Sequence, residues 1–326
     1  MVRKRRSRAV TVVDSSQTDV RHADEHALEA VKPAPGTVLL DRKQQPQPGV
    51  PLITIITATY NAAEYLPNLA RSIREQTYGN IEWIVVDCAS KDGTLDILRQ
   101  NEDVIDHWIS EPDRGIYDAW NKGLGLASGD WICFLGADDF LWGAGVLETM
   151  VPRLEAAYPG CRVVYGSLAV VNPGGQMLYT LGEPWAAVRR RFQSVMALPH
   201  PGLMHHRSLF SEHGEFDTSY RIAGDYELLL RELRSGDARH LEGVIVAGMT
   251  LGGVSTTPSA SWTMLKEMRR AARENGRWLP GVAWLNAVVR YALRRLLWSI
   301  FGERVTRMML DAGRWLSGKP AHWTKS

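Results

Sequence analysis

Four short apolar runs dominate the first half of the chain, and three of them stop at a polar cluster. Leu52-Ile53-Thr54-Ile55-Ile56-Thr57, Ile81 to Val86, Val104 to Ile109 and Trp131-Ile132-Cys133-Phe134-Leu135 are near-continuous stretches of strand length. Runs of this kind, rich in β-branched residues, predict strands covered on both faces. Helical spacing fills the gaps over 62–76 (Leu66, Leu69, Ile73), 94–100 and 116–127. Strand and helix alternating at short spacing predict an α/β fold, a mostly parallel sheet with helices on both faces. Beyond Asp139 the pattern loosens. It reads as a helix over 144–156, a hairpin over 162–181 around Asn172-Pro173-Gly174-Gly175, and an irregular stretch over 185–224. A helix from Asp225 to Arg234, a strand from Leu241 to Thr250 and helices over 260–276 and 282–313 complete the reading.

Ligands of open parallel sheets bind outside the carboxyl ends of the strands. Three polar clusters fall at such ends: Thr57-Ala58-Thr59-Tyr60-Asn61, Asp87-Cys88-Ala89-Ser90 and Gly136-Ala137-Asp138-Asp139. Adjacent carboxylates repel unless something neutralises them. A divalent cation carrying a diphosphate does so, because Mg²⁺ and Mn²⁺ take one or two carboxylates plus phosphate oxygens. The competing reading of Asp138-Asp139 is a helix cap. No G-x-x-x-x-G-K-[ST] occurs, and no G-x-G-x-x-G follows the first strand. The pyrophosphate is therefore expected to be held mainly by a metal, which points to a nucleotide-sugar enzyme and away from a kinase or dehydrogenase.

The motifs themselves are I-T-I-I-T-A-T-Y-N, W-I-V-V-D-C-A-S-K-D-G-T, E-P-D-R-G-I-Y-D-A-W-N-K-G, G-D-W-I-C-F-L-G-A-D-D and A-G-D-Y-E-L-L-L-R (223–231). In this order they resemble family 2 inverting glycosyltransferases of GT-A fold, in particular bacterial transferases of the colanic-acid and exopolysaccharide type. The resemblance covers roughly 51–255 and implies a GT-A-type Rossmann-like sheet flanked by helices, with a helical C-terminal extension. It implies that Thr57, Thr59, Tyr60 and Asn61 line the base and ribose, and that Asp87 accepts a hydrogen bond from the base, usually uracil. Asp113, Arg114 and Gly115 would form a loop beside the diphosphate, with Lys122 nearby. Asp138 and Asp139 would match a D-x-D-like motif, with Asp139 the direct ligand of Mn²⁺ or Mg²⁺. Asp225 would be the general base. Cys88, Gly136 and Gly224 stand where the family commonly has an acid.

The resemblance thus implies inverting transfer from a nucleotide sugar to a hydroxyl of a saccharide or polyprenyl-diphosphate-linked acceptor, in bacterial cell-surface polysaccharide biosynthesis. His200, held between Pro199 and Pro201, is an acceptor-side candidate. His205 and His206 would face opposite ways in a strand, which disfavours a shared metal. Trp120 reads as helix packing in preference to a sugar platform. Two alternatives are a sugar-1-phosphate nucleotidyltransferase and a non-catalytic sugar-nucleotide-binding or membrane-docking module. The first would carry a Gly-rich loop with Arg where Ala58-Thr59-Tyr60-Asn61 stands.

The net charge of +2 averages over unlike parts. Residues 1–8 carry +5, residues 51–265 carry −10 and residues 266–326 carry +9. We therefore divide the chain into a disordered basic leader over 1–50, a catalytic domain over 51–255 and a basic, amphipathic helical region over 256–326. The leader has no apolar h-region of a secretory signal. Three scattered cysteines without a C-x-x-C pair fit a reducing compartment. Over 282–301, Arg290, Arg294 and Arg295 interrupt the apolar run, so a bilayer span is not expected. Leu285, Val289, Ala292, Leu296 and Ile300 follow helical spacing, with Trp284, Tyr291 and Trp298 on an adjoining stripe. The pattern describes an interfacial helix on an anionic membrane, or one packed on the catalytic domain or a second subunit. The expected location is the cytoplasm, peripheral to the inner face of the membrane. No nucleic-acid-binding motif is present, and the oligomeric state stays open.

Overall fold

The computed structural model describes residues 38–41, 49–250, 258–316, 318, 323 and 324. Three of the four apolar runs form strands as their composition predicts, while the third run, Val104 to Ile109, is strand only from His107. The strands are β2 (Ile53–Thr59), β3 (Ile81–Asp87), β4 (His107–Ser110) and β5 (Trp131–Gly136), paired in parallel in the order β4-β3-β2-β5. Both faces are covered, and the faces alternate along each strand. Ile53, Ile55, Trp83, Val85, Cys133 and Leu135 join one core. Ile56, Ile84, Ile132 and Phe134 join the other. The first core is closed by α1 (Leu66–Arg74), α2 (Thr94–Gln100) and α4 (Val146–Ala157). The second lies under α3 (Ile116–Leu124), α5 (Trp185–Phe192) and α7 (Gly224–Leu233).

The whole sheet is mixed, which corrects the expectation of a mostly parallel one. β6 (Asp139–Leu141), β7 (Val163–Val171), β8 (Met177–Leu181), β9 (Met204–His206) and β10 (Ala238–Thr250) extend it. Its order is β1-β4-β3-β2-β5-β9-β7-β10-β6, with β8 beside β7. β9 pairs antiparallel with both β5 and β7, and β6 pairs antiparallel with β10. The stretch 185–224, expected to be irregular, supplies α5, β9 and α6 (Arg207–His213). β9 has three residues and follows Pro199, Pro201 and Gly202, so only its two distant partners make it a strand. The hairpin expected over 162–181 forms as β7 and β8, with Gly175 N–H donating to the Asn172 carbonyl at 2.9 Å.

The stretch assigned to a disordered leader contains β1 (Val38–Asp41), an edge strand antiparallel to β4. A four-residue strand gains its order from pairing, which local pattern does not show. The remainder of residues 1–48 lies outside the described residues, as does the expected boundary at 255/256. Past that boundary, α8 (Pro258–Glu274) places Met268, Ala271 and Ala272 in the second core, so it packs as part of the α/β body. α9 (Val282–Leu316) breaks at Gly302, whose backbone is non-helical. Among the described residues no helix is long and apolar enough to cross a membrane.

The packing is close enough for a single truncation to test it. Leu69 on α1 is fully buried. Leu69→Ala should lower the unfolding free energy by about 2–5 kcal/mol, read from urea denaturation.

Candidate active site

The register of the parallel strands aligns their carboxyl ends. Thr59 lies opposite Asp87, Asp87 opposite Ser110, and Ala58 opposite Gly136. Asp87 is fully buried there and accepts four hydrogen bonds. Thr59 Oγ1 donates at 2.9 Å and Ser90 Oγ at 2.5 Å to Oδ1. Ser90 N–H donates at 2.9 Å and Ser110 Oγ at 2.7 Å to Oδ2. An ionised carboxylate offers about four acceptor positions, so all are used within the protein. A base could reach Asp87 only by displacing one of these donors. The same loops are stitched by Asn61, whose N–H donates to Ser90 Oγ at 2.7 Å and whose Oδ1 accepts from Lys91 N–H at 3.0 Å. Thr57 does not line the site. Its hydroxyl is buried and accepts from Trp83 Nε1 at 3.1 Å, because strand alternation turns it into the core. Tyr60, 67% exposed at the rim, is open for stacking.

The Asp113–Gly115 loop begins α3. Gly115 has φ 125° and ψ 175°, a conformation nearly reserved for glycine, and its N–H donates to Asp113 Oδ1 at 2.8 Å. Arg114 is exposed and forks onto Asp118 at 2.7 Å and 3.3 Å. Lys122 is not a free cation for a diphosphate. Its ammonium pairs with Glu111 at 2.7 Å and donates to the Pro112 carbonyl at 3.0 Å.

Asp138 and Asp139 turn back at the end of β5. A Cβ built on Gly136 would lie 2.8 Å from Asp138 Oδ1 and 3.1 Å from Asp139 Oδ2, so the two carboxylates converge on that glycine. Asp139 Oδ2 accepts from Gly136 N–H at 2.8 Å, while its buried Oδ1 has no partner. Burial, then the neighbouring Asp138, pushes the Asp139 carboxyl up to about 8. A buried carboxylate oxygen without a donor, beside a second carboxylate, is what a hard cation would complete. The described residues hold no group of three or more His, Cys, Asp or Glu arranged for a metal.

Asp225 stands in the first turn of α7, half-buried. Its Oδ1 accepts from Tyr226 N–H at 2.8 Å and from the Tyr117 hydroxyl at 3.3 Å. Burial raises its carboxyl to about 6. Gly224 has a packing reason, since a Cβ there would lie 2.8 Å from the Tyr117 ring. The residue that sequence reasoning missed is Glu267 on α8. Its carboxylate accepts the N–H groups of Arg221, Ile222 and Ala223, each at 2.9 Å, and so holds the segment that leads into Asp225. No motif marks it, because it lies 42 positions away on another helix.

His200 is not acceptor-facing. It is buried, stacked on Trp120 at 5.2 Å and on Phe134 at 5.8 Å, and burial lowers it to about 3. Trp120 is accordingly core packing. His205 and His206 diverge as expected: His205 faces the Ile132 carbonyl at 3.3 Å, and His206 stacks on Tyr158.

Comparison with known proteins identifies the family and the fold. The glycosyl transferase family 2 profile matches residues 54–210. A PGL/p-HBAD biosynthesis glycosyltransferase of Mycobacterium tuberculosis is 31% identical over 214 residues, 64% of this chain and 80% of that protein. The chain belongs to glycosyl transferase family 2. It is therefore a glycosyltransferase. Its fold is shared by two solved structures. The Pyrobaculum calidifontis mannosyltransferase, in complex with GDP-Man and Mn²⁺, has a TM-score of 0.54 at 20% identity, covering 84% of this chain and 82% of that one. Staphylococcus aureus TarS 1–349, in complex with UDP-GlcNAc, has a TM-score of 0.53 at 15% identity, covering 81% and 77%.

Glu267→Ala removes three charge-assisted acceptor contacts at once. Each such bond contributes about 1.5–3 kcal/mol. The variant should lose kcat, with KM for the donor nearly unchanged, in steady-state transfer assays. Glu267→Gln, which keeps acceptor oxygen, should recover part of the loss.

Proposed function

We propose that this family 2 enzyme is a metal-dependent, inverting glycosyltransferase in cell-surface polysaccharide biosynthesis. Its donor would be a nucleotide sugar, UDP-linked in our reading, and its acceptor a hydroxyl of a saccharide or polyprenyl-diphosphate-linked glycan. The observation that carries the reading is Asp225: a half-buried carboxylate whose proton affinity is lifted to about 6. A base of that strength is ionised at neutral pH and still takes a proton readily. A single displacement at the anomeric carbon needs one base and inverts configuration, whereas a double displacement would also need a protein nucleophile.

Asp139 and Asp138 would hold the cation, Mn²⁺ or Mg²⁺, as the unpartnered Asp139 Oδ1 supports. When bound, it would supply positive charge to the diphosphate leaving group. The chain's own part is orientation. Tyr60 offers a ring for the base, while Thr59, Asn61 and the Asp87 hub shape the floor beneath it. Asp113, Arg114 and Gly115 border the diphosphate side. Asp225 then accepts the acceptor's hydroxyl proton at one of its carboxylate oxygens, with Tyr117 fixing that carboxylate. The 51–255 stretch, together with α8, forms the catalytic unit in this reading. The exposed apolar side of α9 supports a peripheral position on an anionic membrane, at the cytoplasmic face.

Asp225→Asn should retain nucleotide-sugar binding and lose about 10²- to 10⁴-fold in kcat. Full transfer by this variant would remove the base assignment. In the unsubstituted enzyme, kcat/KM should fall as pH drops through about 6, because Asp225 is then protonated. A flat profile there would contradict the assignment. Asp139→Asn should abolish the Mn²⁺-dependent increase in donor affinity, read by calorimetry with and without Mn²⁺. Retention of that increase would exclude Asp139 as a ligand.

A further inference from the structure

Three helix ends meet at the far end of α7 from Asp225. The last turn of α5 carries Arg189 and Arg190, Arg234 caps α7, and Arg277 follows the end of α8. With Gln193, these four arginines line one cavity of about 300 Å³. Arg234 follows Asp225 by nine positions, so it stands about 14 Å further along the helix axis, at roughly 1.5 Å per residue. The cavity is therefore separate from the carboxyl-end site.

Its charge is only partly offset. Arg189 pairs with Asp237 at 3.2 Å. Arg277 Nε donates to the neutral Gln193 Oε1 at 3.1 Å, a contact that orients the guanidinium without cancelling it. The three helix C-termini contribute about half a negative charge each. Four guanidiniums exceed Asp237 and these ends together by roughly one to two charges. Planar guanidiniums match the oxygens of a phosphate in pairs.

An apolar strip begins directly after Arg277, one of the residues that line the cavity. The chain leaves Arg277 through Trp278, Leu279 and Val282, exposed at 77%, 84% and 74%. Leu285, Val289, Leu293, Leu296 and Ile300 of α9 are also exposed. At 100° per residue these and Val282 fall within about 80° of one another, so they form one stripe. Exposed Arg290 and Arg295 flank it. The aromatic stripe faces inward: Tyr291 stacks on Trp262 of α8 at 5.4 Å, and Trp284 Nε1 donates to the Leu265 carbonyl at 2.7 Å. Arg294 is also withdrawn, lying over Tyr291, Trp298 and Trp323. A cationic cavity adjoining an aliphatic stripe has the two-part chemistry of a phospholipid. A free anion would use the cavity alone. A second copy docked about a two-fold axis on this face would bring two cationic surfaces together.

We propose that the cavity lined by Arg189, Arg190, Arg234 and Arg277 receives the phosphate head group of an anionic phospholipid, while the aliphatic stripe of α9 lies at the acyl boundary. This rests on the membrane reading of α9 given above. The test is co-sedimentation of the full chain with phosphatidylcholine vesicles, with and without phosphatidylglycerol. The protein should prefer the phosphatidylglycerol vesicles. Arg190→Glu/Arg234→Glu, at exposed positions and with retained folding checked by the melting curve, should weaken that binding by about tenfold or more. Arg71→Glu/Arg153→Glu changes net charge equally elsewhere and should have much less effect. An equal loss in both doubles would reduce the effect to overall charge and overturn the head-group site. Unchanged binding in the Arg190/Arg234 double, with loss in Leu293→Asp/Leu296→Asp, would overturn the site and leave the membrane reading standing. No vesicle binding by the unsubstituted chain would overturn both. Inorganic phosphate should compete only weakly. Full displacement by it at millimolar concentration would reassign the cavity to a free anion.

Discussion

The Asp87 carboxylate ties together the ends of three strands. Its donors come from β2 (Thr59), from the loop after β3 (Ser90) and from the end of β4 (Ser110). A buried charge is tolerated only when its hydrogen-bonding capacity is met, and here it is met fully. The loops after β2 and β3 follow from that hub. Ser90 passes the constraint to Asn61, Asn61 to Lys91, and Thr94 to Ala62, whose N–H donates to the Thr94 hydroxyl at 2.8 Å. The two loops that would contact a nucleotide are thus one hydrogen-bonded unit before any ligand arrives. Pre-organisation of this kind lowers the ordering cost of binding.

Burial acts on two other carboxylates and gives them different roles. Asp139 has one oxygen without a donor and an acidic neighbour, so its proton is held up to about 8. Asp225 has a backbone N–H and the Tyr117 hydroxyl to stabilise its charge, and it stays near 6. In the proposed mechanism the first would hold the cation and the second would take the proton at neutral pH. Environments that separate the proton affinities of similar groups are how one fold assigns them different tasks.

Much of this was legible in the residues. The parallel core was written in runs that bury both faces, and the site in the polar clusters that end them. Asp138-Asp139 and Asp225, the residues of the proposed mechanism, stand out in the sequence by position and motif. What the sequence concealed depended on distant partners. β1 and β9 are too short to announce themselves without the strands they pair with. Thr57 and His200 sit in motif-like surroundings, yet strand alternation turns one toward Trp83 and stacking fixes the other against Trp120 and Phe134. Asp87 was read as a ligand for a base, but its acceptor positions are filled by donors from the loops around it. Glu267 carried no local signal, because its role exists only once α8 lies against the loop before α7.

α8 also joins two functions that the sequence kept apart. One side of the helix supplies Glu267 to the loop that leads into Asp225, and Met268 and Ala271 to the core. Another side offers Trp262 and the Leu265 carbonyl to α9. These contacts lie within ten positions of one helix, about 15 Å of its length at roughly 1.5 Å per residue. A surface that engages α9 therefore bears on a rigid element whose opposite side holds the segment before Asp225. The basic C-terminal region cannot be treated as a tether added to a finished enzyme: removing α8 with it would strip the Asp225 loop of three hydrogen bonds and open the second core.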